Sequence, residues 1–308
     1  MPSIVLYTVR LLSMTGLVLL VLSIINVSPG HSGPPNRKAG HLSGNITFVG
    51  KLPQVRKFNL ATYPDPFYCG RISDGKGWRI GPKVRVNTNS RLGGAIAFIK
   101  GLKSHNRTED RTNTVKSLNC RFSPFIGLLR KGDELKFENW DPVLHQIEVF
   151  QSTSQGGRLL RRETLTPHNN SLKSDFLQSG EEGIHQAGPP LMYEVKDEGI
   201  LFFRCPLHEY MEAWTLSLSH QYFAISDEDG EFLISNIPTG EHTLVIWHPI
   251  GQTEQTVDIK DQQTLHLDLV FHPTRSTFYR EPEVKTNPFG IDLLGDSHIV
   301  PSVERQKE

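Results

Sequence analysis

Charge of either sign is not in excess: 33 basic side chains meet 33 acidic ones, giving a formal net charge of zero. Such balance argues against nucleic acid or an anionic membrane surface as the main partner. Hydrophobic residues are few at 37%, low for a compact globule, whereas proline (20) and glycine (26) are frequent. This composition disfavours a helical bundle and points to a loop-rich, β-dominated chain. No Ser-His-Asp set, paired carboxylates or phosphate loop is visible, so the chain reads as a protein without a hydrolytic or phosphoryl-transfer site. The thirteen histidines contain no His-x-His pair, the spacing that multinuclear metal clusters usually need. No internal repeat stands out.

Long apolar runs are missing with one exception. Arg10 is the only charged side chain before residues 11–27, which are apolar apart from Ser13, Thr15, Ser23 and Asn26. A basic n-region ahead of an apolar stretch reads as an export signal over residues 1–30, with Ser28 and Gly30 in the cleavage positions. The run is short for a membrane span, but no Ala-x-Ala sequence marks a cleavage site. A released form and an N-terminally anchored form therefore both stand. Either way the remainder is expected in the periplasm or otherwise outside the cytoplasm, touching a membrane only through that anchor.

Cysteine is scarce too: Cys69, Cys120 and Cys205 are the whole set. In an oxidising compartment an odd count leaves one thiol that needs a reason to exist. The expected arrangement is a structural Cys69–Cys120 disulfide with Cys205 kept as a metal thiolate.

Residues 31–43 read as a linker. Short β-type runs follow at 46–49, 95–99, 126–129, 135–139 and 145–149, then at 193–195, 200–205, 222–225, 231–234 and 243–247. Turn signals separate many of them at intervals of about ten residues, the pattern of an all-β sandwich. Along Glu134–Asn139, residues Leu135, Phe137 and Asn139 share one face while Lys136 and Glu138 take the other. Residues 151–190 read as a long insertion, and 273–308 as a disordered tail.

The chemistry is concentrated in Cys205-Pro206-Leu207-His208-Glu209-Tyr210-Met211, which follows the apolar strand residues 200–203. A thiolate, an imidazole and a thioether within seven residues form a soft N/S donor set that suits one copper ion. A second imidazole would complete a trigonal His₂Cys plane with a weak axial Met, and His145 is the natural candidate.

Cys-x-x-His-x-x-Met resembles the ligand loop of cupredoxins, the blue copper proteins, with the short spacing of amicyanins. Residues 132–141, followed by His145, resemble the strand pair that delivers the first histidine in that family. The resemblance covers roughly residues 120–220. It implies a Greek-key β-sandwich over residues 44–219 and a type 1 copper held by His145, Cys205, His208 and axial Met211. It also implies Asn139 as a neighbour that ties the site loops together. Gln146 stands where the family usually has Asn or Thr, and the stretch from His145 to Cys205 is longer than in a minimal single-domain member. Trp140 lies close enough in sequence to His145 to shield the metal from water. The function so implied is one-electron transfer with a redox partner protein; copper binding and delivery between a donor and an acceptor is the alternative, and a structural module with a vestigial site is a third.

Residues 220–272 carry Asp227-Glu228-Asp229-Gly230-Glu231-Phe232 and later Pro238-Thr239-Gly240. This D-x-x-G-x-F…P-x-G pattern is similar to the carboxypeptidase regulatory-like β-sandwich module, where glycine supplies positive φ at tight turns. The resemblance implies a structural unit that binds nothing, with the run at 95–99 belonging to the same sandwich. The combination resembles exported bacterial plastocyanin-like proteins. The remaining motifs read plainly. His185, His220, His242, His248, His266 and His272 lack ligand spacing and are expected at surfaces or in packing. Trp214 and Trp247 are expected in cores. Arg158, Arg161 and Arg162 form a basic cluster on a solvated loop or a docking patch for an acidic partner.

Overall fold

Strands make nearly all the regular structure, as the composition requires. A computed structural model describes residues 38–53, 55–81, 84–103, 112–153, 156–167, 187–274, 284–286 and 292–294. The expected export signal lies outside these residues. No helix among the described residues is long and apolar enough to cross a membrane.

Four sheets carry the fold, and side-chain alternation shows how they stack. A five-stranded sheet runs in the order Gly156–Leu165, His145–Thr153, Gly199–Arg204, Glu212–Leu218, Ile126–Arg130. A four-stranded sheet, Leu191–Glu194, Glu134–Asn139, Thr112–Ser117, Phe122–Ser123, shares a core with it that includes Phe137, Ile147, Val149, Leu201 and Phe203. The second sandwich pairs a three-stranded sheet with a four-stranded one around Leu42, Ile46, Ile99, Leu244, Ile246 and Phe271. Between the sandwiches lies a third cluster: Ile126, Phe202, Trp214 and Leu216 from one side, Ile96 and Trp247 from the other. The period of two is decisive here. Phe203 points into the site's own core and its neighbour Phe202 into the seam between sandwiches.

The expected boundaries at 44 and 220 do not follow the strand pairing. Ala39–Phe48 pairs antiparallel with Glu231–Pro238 and parallel with Thr264–Phe271. Ile96–Ile99 pairs with Phe223–Ile225 and Gly240–His248. The second sandwich thus draws strands from both sides of the first, and the described residues from Lys38 onward cluster as one unit. The expected linker is strand from Ala39; two inward positions of that strand are glycine, so the sequence carries little apolar signal of it. A Cβ on Gly40 would sit 2.3 Å from the Lys260 carbonyl oxygen, and one on Gly44 2.5 Å from that of Leu267; only glycine permits that approach.

The expected insertion is partly a hairpin: Gly156–Leu165 returns along His145–Thr153, and residues 168–186 lie outside the described set. Leu165 is buried and Leu160 packs on the core, so alternation extends the sheet where glycines and arginines suggest a loop. In the expected disordered tail, Val284–Thr286 pairs with Asp292–Leu294; most of its other residues lie outside the described set.

One packing histidine has a measurable consequence. His248 is 3% exposed, and its Nδ1 accepts from Ile250 N at 3.4 Å. Burial, aided by the nearby Arg85 guanidinium, pushes the imidazole down to about 3. The unfolded chain takes up that proton near its ordinary value of about 6.5. This group's contribution is therefore complete above pH 6.5 and is lost as pH falls toward 3, by about 1.4 kcal/mol per unit. Urea unfolding at stepped pH should show this slope, and His248→Gln should flatten it; an unchanged slope would reject the assignment.

Candidate metal centre

Three strand ends and one loop bring the donors together. His145 opens the strand His145–Thr153, Cys205 follows the end of Gly199–Arg204, and His208 and Met211 lie on the loop into Glu212–Leu218. Backbone bonds tighten that loop: His208 N donates to Cys205 O (3.1 Å), Met211 N to His208 O (2.8 Å), and Cys205 N to Met211 O (3.1 Å). All four side chains are fully buried. Ligand atoms of His145, Cys205 and His208 lie within 4.8 Å of one another. His145 Nδ1 is 3.1 Å from His208 Nδ1, and Cys205 Sγ is 3.7 Å from the latter. Met211 packs in the same core cluster.

The outer edges of both rings are fixed. His208 Nε2 is 3.2 Å from the Pro64 carbonyl oxygen, which can only accept, so Nε2 carries the proton. His145 Nε2 is 2.8 Å from Asp141 Oδ2. Burial raises the Asp141 pKa, but the bonds from His145, Ser117 and the Cys120 N–H outweigh it and hold the carboxyl below its ordinary value. As a carboxylate Asp141 only accepts, so His145 Nε2 is also a donor. In neutral rings both Nδ1 atoms are then bare lone pairs facing each other, an arrangement that repels unless a cation lies between them. Without a metal, a proton fills that role: burial opposes a charged His145, but Asp141 and Cys205 outweigh it and raise its pKa. Burial likewise pushes the Cys205 thiol up, and bonds to His145 and His208 more than reverse this, bringing it to about 6. Gln146 N adds a 3.4 Å bond to the sulfur. Two buried imidazole nitrogens converging on a sulfur with a lowered pKa are the donor chemistry of a soft metal site, which takes the rings neutral and the sulfur as thiolate.

Asp141 enters the sequence reading only as the last residue of the 132–141 stretch, yet it organises the site. It accepts from Ser117 Oγ (2.7 Å), Cys120 N (2.9 Å) and Tyr68 Oη (3.0 Å) besides His145. Asn139 holds the loop that carries it: its Nδ2 donates to Val143 O and Leu165 O, each at 2.8 Å, and its Oδ1 accepts from Asp141 N at 3.0 Å. Asn139→Ala should therefore lower unfolding free energy by about 2–4 kcal/mol, because buried partners lose their bonds; urea denaturation measures this, and a loss under about 1 kcal/mol would contradict it.

Trp140 donates its Nε1–H to Glu138 Oε2 (2.8 Å) and lies against Lys116. The cover comes from residues 63–69, which lie between the expected strands at 46–49 and 95–99. Pro64 and Cys69 meet the His208 ring edge, with Cys69 Sγ 3.7 Å from Nε2, and Cys69 is joined to Cys120 by a disulfide. Arg79, 1% exposed, braces that bond by donating to the carbonyls of Cys69, Asn119 and Cys120 at 2.6–2.7 Å. The basic cluster is paired by carboxylates: Arg158 with Asp197, Arg161 with Glu163 and Arg162 with Glu148.

No protein-family model and no curated protein matches the chain. Among solved structures it is similar to amicyanin from Paracoccus versutus, at 12% identity over 39% of this chain and 96% of that one, with a TM-score of 0.25. A reduced Cu(I) form of a mutant amicyanin gives 12% identity, 39% and 97% coverage, and 0.25. Pseudoazurin from Methylobacterium extorquens AM1 gives 18% identity, 36% and 77% coverage, and 0.24. Similarity at this level carries no argument about what this chain binds or does.

Proposed function

We propose that the protein is an extracytoplasmic one-electron carrier with a single type 1 copper held by His145, Cys205, His208 and axial Met211, and not an enzyme. The observation that carries this reading is the pair of Nδ1 atoms facing each other at 3.1 Å, with Cys205 Sγ converging on them and both Nε2 edges tied to acceptors. When bound, copper supplies the Cu(II)/Cu(I) couple, and the soft sulfur donors favour its reduced form. Asp141 and Pro64 fix the ring orientations, which limits rearrangement between the two states. Phe137, Phe203 and residues 63–69 exclude water. The Cys69–Cys120 disulfide fits an oxidising compartment, and the apolar N-terminal run supplies the export signal or anchor. The second sandwich, similar to a carboxypeptidase regulatory-like module, serves as a structural base, and the partner is a redox protein.

One equivalent of Cu(II) added to residues 31–308 should give an intense visible thiolate-to-copper band, narrow EPR hyperfine splitting and reversible voltammetry. A weak tetragonal spectrum would sink the type 1 assignment. Ready transfer of the metal to an acceptor protein, without a reversible couple, would replace electron carriage with copper delivery.

A further inference from the structure

The two histidines of the metal centre are held from outside by unlike partners, and the difference is electrostatic. His208 Nε2 meets a neutral carbonyl, that of Pro64, at 3.2 Å. The Asp65 carboxylate stands 3.8 Å from the same nitrogen, beyond hydrogen-bond reach, and its side chain is 39% exposed. His145 Nε2 meets a full charge instead, Asp141 Oδ2 at 2.8 Å, and both of those side chains are fully buried. Water does not screen a charge in that position. Nor does a cation neutralise it: no described lysine or arginine lies within ion-pair distance of Asp141. Nearby Arg79 spends its donors on the carbonyls of Cys69, Asn119 and Cys120. The carboxylate is satisfied by neutral donors, Ser117 Oγ and Cys120 N on Oδ2 and Tyr68 Oη on Oδ1.

One negative charge thus sits dry and unpaired by any lysine or arginine, a single imidazole away from the inward-facing Nδ1 of His145. An ion held by that nitrogen feels the charge, and a divalent ion gains about twice what a monovalent one does. We propose that Asp141 is a positioning residue whose charge, acting through His145, makes the centre prefer a divalent ion over Cu(I) and so holds the copper potential down. The inference rests on the electron-carrier reading and adds to it the group that sets the balance. Soft sulfur donors favour the reduced ion, and Asp141 is the counterweight within the same site. Tyr68 reaches the carboxylate from the cover and moderates it.

Asp141→Asn removes the charge and can keep the bonds. The amide oxygen replaces Oδ2 for His145, Ser117 and Cys120, while the amide nitrogen faces Tyr68 Oη, a hydroxyl that accepts as well as donates. The metal-free full chain, disulfide intact, is titrated with Zn(II) and with Cu(I) against chelators of known affinity, measurements that involve no electron transfer. Asp141→Asn should lower Zn(II) affinity by about tenfold or more and Cu(I) affinity by clearly less, so the Zn(II)-to-Cu(I) ratio falls. The copper potential should rise with it, by about 59 mV per tenfold change in the Cu(II)-to-Cu(I) ratio. Tyr68→Phe withdraws a neutral donor and leaves the charge, so it should raise the ratio by about twofold or more. A purely structural role would weaken both ions alike. Equal weakening of Zn(II) and Cu(I) by Asp141→Asn, or a ratio that falls in both variants, would overturn the proposal. A wild-type chain without a thiolate-to-copper band whose ratio still falls in Asp141→Asn would sink the electron-carrier reading and leave the action of the charge standing. A wild-type chain with that band and a ratio indifferent to Asp141→Asn would do the reverse.

Discussion

Cys205→Ser is expected to abolish the visible copper band and to weaken copper binding by more than about 100-fold, beyond what loss of an outer-shell partner costs. The sulfur is the one donor that every other feature of the loop supports. Gln146 N donates to it, His208 Nδ1 stands at 3.7 Å, and the neighbouring imidazoles bring the thiol to about 6 against the effect of burial. A thiolate is thus available near neutral pH without metal, which a serine hydroxyl in the same buried place cannot match. The fold should survive, because serine is smaller and the loop is tied by its own backbone bonds. Absorption and EPR of the loaded variant, beside its urea midpoint, decide the matter. A folded Cys205→Ser protein that keeps an intense visible band would reject the ligand assignment and, with it, the proposed function.

The candidate donors were legible because three of them sit on one short loop and are chemically distinctive: a thiol, an imidazole and a thioether at spacings of three residues. His145 could be placed because a strand begins there, just after Asn139-Trp140-Asp141. Asp141 could not. A carboxylate serves many purposes in a loop, and its bonds reach Tyr68, Ser117 and Cys120, contacts that tertiary packing alone creates. The all-β class was readable from turn spacing, whereas the interleaving of the sandwiches was not. Gly40 and Gly44 occupy inward positions without any apolar mark, and the partners of Ala39–Phe48 lie near the far end of the chain. Residues 57–81 have neither period, so the cover over His208 was hidden in a stretch that looks like connection.

That cover rests on a single covalent tie, and replacing both Cys69 and Cys120 with serine should have two separable effects. The bond spans 51 residues of sequence, and loss of a loop of that length lowers unfolding free energy by about 4 kcal/mol in the chain-entropy account. The second effect is local. Cys69 closes the short helix Pro66–Cys69; Pro64, just ahead of it, contacts His208 Nε2, and Tyr68 within it bonds Asp141. Arg79 reaches the disulfide only through backbone carbonyls, so it cannot replace the tie. Without the disulfide, residues 63–69 should open locally at a lower free energy than the sheets that carry the donors. His208, fully buried in the intact protein, should then react faster with diethylpyrocarbonate. Mass spectrometry on the metal-free protein, under conditions where the variant remains folded, should find its labelling rate raised by about tenfold or more, with His248 as the buried control. Equal labelling of His208 and His248 would mean global unfolding and not local opening. An unchanged His208 rate in a destabilised variant would show that the cover is held by packing alone, and the disulfide would then stabilise the fold without guarding the site.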